Sequence, residues 1–202
     1  MKCGEKNLKF NKAEIDVCPS NYSPAVYHIK ENISRNSGVC IDVGSCDATL
    51  GIEMAKVTDM SVYLLDKSAD SLDIKVKKAE NTGLKNRVKP LPGDVHNIPL
   101  EDQSVDLVVS KDSIWFWKDP IKAFKEIYRV LSPEGIAYVE GDLYTTEFDY
   151  NRKERGFSKK RKKNKNENVV EKLVNILISA NIKYFAVTQD DCGPWVLFKK
   201  AV

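Results

Sequence analysis

One stretch constrains this chain more than any other: Val39-Cys40-Ile41-Asp42-Val43-Gly44-Ser45-Cys46-Asp47-Ala48-Thr49-Leu50. The apolar run Val39 to Val43 predicts a buried strand with an acid, Asp42, at its carboxyl end. Gly44 follows at once, then small and polar residues. A helical pattern begins next, with Leu50, Met54 and Val57 on one face and Ile52 and Ala55 beside them. Strand, tight glycine turn and helix N-terminus form a ligand-binding unit in open α/β sheets. The turn lets backbone N–H groups approach the ligand, and the helix dipole favours negative groups. A dinucleotide site would want G-x-G-x-x-G and an apolar residue in place of Asp42. Here those glycine positions are Gly44, Cys46 and Thr49, so only the first is met. A carboxylate at this point suits a ligand that carries positive charge.

The same stretch resembles motif I of the class I S-adenosylmethionine-dependent methyltransferases, D/E-x-G-x-G-x-G. Asp42 and Gly44 match, and Cys46 and Ala48 stand where the second and third glycines belong. The resemblance implies S-adenosyl-L-methionine as cofactor, with S-adenosyl-L-homocysteine as product. It also implies cofactor contacts at Asp42, Gly44, Ser45 and Cys46.

At 202 residues the chain is expected to be one domain, long enough to cover both faces of a sheet. A net charge of +3 is too small to argue by itself for a polyanionic partner. The five cysteines, Cys3, Cys18, Cys40, Cys46 and Cys192, show no C-x-x-C spacing, so no metal is expected. Their odd number, with no signal peptide, points to the cytoplasm. No apolar run approaches the roughly 20 residues of a membrane span.

Residues 1–20 are polar and lysine-rich. Ser23 as N-cap and Pro24 at the first helical position predict a helix over 24–35. In the resembled family an N-terminal helix lies over the cofactor and meets the substrate. Tyr27 and His28 are therefore candidate substrate-binding residues, although a lone histidine on a helix is more often an ordinary surface or core residue. A second buried strand, Met60 to Asp66, ends in an acid 24 positions beyond Asp42. That spacing suits a carboxylate accepting from vicinal ribose hydroxyls. The competing reading is that Asp66 caps the next helix, which carries Leu72, Val76 and Ala79. By resemblance Asp66 matches motif II, with Lys67 beside it.

Gly83 ends that helix, and a short strand, Val88 to Leu91, leads into Pro92-Gly93-Asp94-Val95-His96-Asn97-Ile98-Pro99. This G-D-x-x-x-I-P run resembles motif III. The resemblance gives Asp94 the adenine amine and the Val95 backbone a ring nitrogen. Val105 to Ser110 predicts a fourth strand and resembles the family's F/V-D-L-V-V-S, which implies a place beside the first strand, where strand order reverses and ligands sit. Ser110 and Lys111 are then expected near the methionine part of the cofactor. Trp115, Phe116 and Trp117 offer an aromatic wall for a planar or cationic group, with Trp115 and Trp117 as candidate substrate-binding residues. Packing of the next helix is the competing reading for two of the three.

Asp119-Pro120 starts a helix with Ile121, Phe124, Tyr128 and Leu131 at helical spacing and Ile127 flanking. The run Ala123 to Gly135 resembles the family's A-x-x-E-I-x-R-V-L-K-P-G-G, a structural signature. Ile136 to Val139 predicts a fifth strand. Arg152 to Lys165 holds nine basic residues and one acid, with only Phe157 among aromatics. A solvated lid insertion is the favoured reading there; an anionic partner such as RNA is the alternative. A helix from Val169 to Ala180 and two strands, 184–187 and 195–198, close the chain.

The expected architecture is α/β, a Rossmann-like class I methyltransferase fold. It has a seven-stranded, mostly parallel sheet with a C-terminal antiparallel hairpin and helices on both faces. Residues 1–37 form an N-terminal segment and lid helix, and 143–166 a basic insertion. The expected activity is methyl transfer to a small-molecule acceptor, with no assigned catalytic residue. The alternative is an inactive binding or partner subunit, motivated by Cys46 and Ala48. The sequence does not determine the oligomeric state.

Overall fold

The computed structural model describes residues 24–44, 48–140, 169–190 and 193–201. The elements run α1 (Pro24–Asn32), β1 (Val39–Val43), α2 (Thr49–Val57), β2 (Ser61–Asp66), α3 (Ala69–Glu80) and β3 (Val88–Pro92). They continue with β4 (Val105–Ser110), a 3-10 turn (Ile114–Phe116), α4 (Pro120–Val130), β5 (Leu131–Glu140), α5 (Val169–Ser179), β6 (Phe185–Asp190) and β7 (Gly193–Lys199). The strands form one sheet in the order β3-β2-β1-β4-β5-β7-β6. β1 to β5 pair in parallel, and β7 enters antiparallel between β5 and β6. The expected mostly parallel sheet with a closing hairpin is therefore the observed one.

Parallel strands buried on both faces need apolar residues at consecutive positions, and β1 and β4 supply them. Along β1, Cys40 joins the core under α1, α2 and α3, while Ile41 and Val43 join the core under α4 and α5. Leu107, Val108 and Val109 alternate between the same two cores on β4. This is the two-residue period of a strand.

Three local expectations are corrected. In α3 the buried stripe is Leu72, Lys75 and Ala79, with a lysine beside the expected Val76, which is only half-buried. In α4 it is Ala123, Phe124, Ile127 and Val130, one step round from the expected Ile121 and Tyr128. Leu131 already belongs to β5, which starts directly after α4 and is irregular: Val105 pairs Leu131 but Leu107 pairs Ile136. The extra residues include Glu134, whose φ of 69° absorbs the bend.

Two N-caps fix where the helices begin. Ser68 Oγ accepts from Ser71 N at 3.2 Å, and Asp119 Oδ1 accepts from Lys122 N at 2.9 Å. Both caps lie at the carboxyl end of the sheet, beside the point where the order reverses between β1 and β4. In an open α/β sheet this is where a ligand crevice forms.

Candidate active site

β1 ends in the turn that opens the crevice. Gly44 has φ +63°, and its N–H donates to Leu65 O at 2.9 Å. A Cβ there would stand 3.0 Å from Ser113 Cβ. Glycine is thus required both by the left-handed backbone and by the approach of the β4 turn. Ser110 is fully buried; its hydroxyl donates to Val43 O at 3.1 Å and shares a 2.5 Å hydrogen bond with Ser113 Oγ. Ser113, not Ser110, faces the cavity, and Lys111 lies in the same turn outside its lining. Ser45 and Cys46 lie outside the described residues.

Asp42 does not line the cavity. It is buried beneath it, and its Oδ2 accepts from Gly51 N in α2 at 2.9 Å. The next turn residue described, Ala48, is buried with φ 55°, a left-handed conformation at a position where the motif has glycine.

The cavity has a volume of about 380 Å³, within the range of small-molecule sites. The ends of β1, β2 and β4 and the loop after β3 border it, and three acids, Asp66, Asp94 and Asp112, line its wall. Asp66, at the end of β2, accepts from Ser68 N at 2.9 Å, Ser71 Oγ at 3.1 Å and Lys75 Nζ at 2.5 Å. Burial alone would raise its pKa. The hydrogen bond and charge of Lys75, with the bonds from Ser68 and Ser71, outweigh that and hold it below the usual carboxylate range. Asp66 thus does help organise the start of α3, as the capping reading expected, and it faces the cavity as well.

Asp94 sits in the turn after β3. Burial again opposes ionisation, but the backbone N–H of His96, the Lys67 ammonium and the His96 ring hold the acid well below its ordinary range. The distances are 3.0 Å from His96 N, 2.8 Å from Lys67 Nζ and 2.6 Å from His96 Nδ1. His96 Nε2 accepts from Asp119 N at 3.1 Å. The Nδ1 nitrogen therefore carries the proton and donates to Asp94. His96 in this way ties the loop to the start of α4. The Val95 side chain is buried in the core beside this loop.

The aromatic wall is only partly a wall. Trp117 is buried, packed edge-on against Phe124 at 5.5 Å between ring centroids, and touches the cavity with one side. Phe116 is 75% exposed and borders the cavity. Trp115, also exposed, donates Nε1–H to Asp112 O at 2.6 Å and lies edge-on to Phe116 at 5.7 Å. On α1, Tyr27 is half-buried, and His28 stands exposed with its ring 6.0 Å from that of Tyr138. Neither borders the cavity.

The sequence reading missed Ser71, His96, Asp112 and Ser113, all of which line the cavity, whereas Phe116 of the expected aromatic wall does border it. Only His96 left a signal, lying two residues after the Asp94 turn acid. Two carboxylates, a bare glycine backbone and an exposed aromatic edge make a donor and acceptor set suited to a nucleoside. Its hydroxyls and exocyclic amine would be received by Asp66 and Asp94.

A methyltransferase domain model matches residues 41–139. A structure from Methanococcus maripaludis, assigned as an S-adenosyl-L-methionine-dependent methyltransferase, is 31% identical with a TM-score of 0.72. The match covers 88% of this chain and 84% of that one. The chain belongs to the class I S-adenosylmethionine-dependent methyltransferases. A methyltransferase of Aquifex aeolicus shares the fold at 17% identity, with a TM-score of 0.67 over 90% of each chain. The rice (Oryza sativa subsp. japonica) 2-methyl-6-phytyl-1,4-hydroquinone methyltransferase 2, chloroplastic, is 37% identical over 108 residues, 52% of this chain and 30% of that protein. Lactobacillus johnsonii demethylmenaquinone methyltransferase is 32% identical over 92 residues, 46% of this chain and 38% of its own length. The chain spans about a third of the length of the first curated relatives it matches. In this family frame the Glu126 and Arg129 pair of α4 also acquires a physical role. Arg129 donates to Glu126, Asp102 and the carbonyls of Ile98 and Leu100, fastening the loop that carries Asp94.

Among the described residues no helix is long and apolar enough to cross a membrane. Residues 1–23 and the basic segment 152–165 lie outside the described residues, so the readings made there stay with the sequence.

Proposed function

We propose that this methyltransferase moves a methyl group from S-adenosylmethionine to a small molecule with a planar or apolar portion. The observation that carries the reading is the convergence of Asp66 and Asp94 on one cavity beside the Gly44 turn. When bound, the cofactor supplies a methyl on a cationic sulfur with a neutral leaving group. Holding donor and acceptor in line then accounts for most of the acceleration, so no dedicated acid or base is required.

Each residue has a part in that reading. Asp66 receives ribose hydroxyl, and Asp94 receives the adenine amine with the Val95 backbone beside it. Lys67 steadies Asp94 through its 2.8 Å ion pair. Gly44 supplies bare backbone at the methionine end, with Ser113 across from it and Ser110 behind it through the Ser110–Ser113 hydrogen bond; contacts from Ser45, Cys46 and Lys111 rest on the family resemblance alone. Asp42 acts through the turn by anchoring α2 at Gly51. Exposed Phe116 and Trp115 offer the acceptor an apolar rest and Trp117 backs them, while a substrate role for Tyr27 and His28, which do not border the cavity, rests on the family resemblance alone. The rice and Lactobacillus relatives are named for a phytyl hydroquinone and demethylmenaquinone. Acceptors of that apolar, aromatic chemistry suit the Phe116 edge. The odd cysteine count supports a cytoplasmic setting.

Calorimetric titration with S-adenosylmethionine and S-adenosylhomocysteine tests the cofactor site. Micromolar binding by the wild type, lost in Asp66→Ala, is expected. An Asp66→Ala variant that binds as well as the wild type would refute the ribose role. Methyl transfer from labelled cofactor to a panel of hydroquinones then tests the acceptor class.

A further inference from the structure

Asp66 is a less open acceptor than its position suggests. A carboxylate offers about four lone-pair directions, and three are already engaged within the fold. Oδ2 takes two donors, the Lys75 ammonium at 2.5 Å and the Ser71 hydroxyl at 3.1 Å. Oδ1 takes one, the Ser68 N–H at 2.9 Å. Lys75 is not a surface residue that happens to pass by. It occupies the buried stripe of α3, its side chain is only 3% exposed, and Asp66 is its ion-pair partner. A lysine held out of water this way does not leave its counter-charge without a large penalty. The carboxylate plane is thereby fixed, with Oδ2 committed to two donors of the fold and only one direction of Oδ1 left unengaged by these bonds.

We propose that Lys75 is a positioning residue that makes ribose recognition by Asp66 one-handed: Oδ1 accepts from one of the two vicinal hydroxyls, and Oδ2 is withheld from the other. The inference rests on the reading of the cavity as the cofactor site. Two-handed recognition, the simpler expectation for an acid at a strand end, needs both oxygens free. The low-lying ionisation of Asp66 agrees with a carboxylate kept charged by the fold before any ligand arrives.

The test is calorimetric titration with S-adenosylhomocysteine and its 2′-deoxy and 3′-deoxy analogues. The proteins are the wild type, Asp66→Ala and Lys75→Met. A hydroxyl bound by Asp66 is one whose removal weakens binding in the wild type but not in Asp66→Ala. One analogue is expected to show that behaviour, with a penalty of about tenfold or more. The other analogue's penalty, whatever its size, is expected to be the same in both proteins. In Lys75→Met, which keeps the length of the side chain, Oδ2 loses one of its two donors, and both analogues' penalties should exceed those in Asp66→Ala. A Lys75 with a purely structural role would lower affinity for all three ligands alike and leave this pattern unmoved.

Asp66-dependent penalties for both analogues in the wild type would overturn the proposal while sustaining the cofactor site. Failure of the wild type to bind S-adenosylhomocysteine would instead overturn the site itself. If Lys75→Met does not fold, the comparison of wild type with Asp66→Ala still decides.

Discussion

Asp42 Oδ2 lies 2.9 Å from the Gly51 nitrogen, and a Cβ on Gly51 would fall 2.7 Å from the same oxygen. The two residues specify each other: the buried acid needs a donor, and only glycine lets the helix come near enough to give one. Gly51→Ala is expected to destabilise the chain by about 2 kcal/mol in urea denaturation, because overpacking outweighs the better helix propensity of alanine. An unchanged urea midpoint would show that α2 can retreat from β1 at no cost.

Arg129 holds five bonds that span the Asp94 loop, the Asp102 turn and α4. Lysine cannot reproduce that fork. Arg129→Lys is expected to cost about 2 kcal/mol of stability, and to weaken S-adenosylhomocysteine binding by loosening the loop. Hydrogen exchange at Ile98, whose N–H donates to Glu126 Oε2 at 3.0 Å, should quicken more than exchange in β1. Protection of Ile98 equal to that in the wild type would contradict this.

Two neighbouring aromatics should separate cleanly. Phe116 is 75% exposed and Trp117 is 8% exposed. Phe116→Ala is expected to change stability by less than about 0.5 kcal/mol, leave cofactor affinity intact and raise KM for the acceptor. Trp117→Ala opens a cavity against Phe124 and is expected to cost about 3–5 kcal/mol. A Phe116→Ala enzyme with an unaltered acceptor KM would take the residue out of the acceptor site.

Asp66, Asp94 and Glu126 all titrate below their ordinary values in the folded chain. For Glu126 the leading cause is the Arg129 hydrogen bond. Unfolded carboxylates titrate near about 4, so folding favours the ionised forms. Their contribution is fully present above the unfolded values and fades as pH falls through about 4 toward the folded ones. Urea midpoints should be flat near neutrality and drop between about pH 5 and 3. Asp66→Asn should show a shallower drop, and a midpoint that climbed on acidification would have the wrong sign.

The two acid-bearing strand ends, at Asp42 and Asp66, were legible because each combines an apolar run with a charged residue, a pattern that local physics imposes. Val39–Val43 and Val105–Ser110 appear with their expected bounds. The hidden part came from contacts between distant segments. Nothing within α3 announces that Lys75 turns inward, since the reason is Asp66, nine residues earlier on another element. Likewise Phe116 and Trp117 are adjacent and chemically alike, and only the placement of Phe124 decides which is buried. The reach of the Asp42 carboxylate toward Gly51, away from the cavity, depends on how closely α2 lies on β1.

The edge of the sheet at β3 carries a consequence for assembly. Two of its five residues, Pro90 and Pro92, bring no N–H to the ladder, and Lys89 is exposed beside them. A strand so short of donors is a poor template for another chain. Growth of this sheet into a continuous intermolecular one is disfavoured on that side, which leaves β6 as the other edge among the described strands.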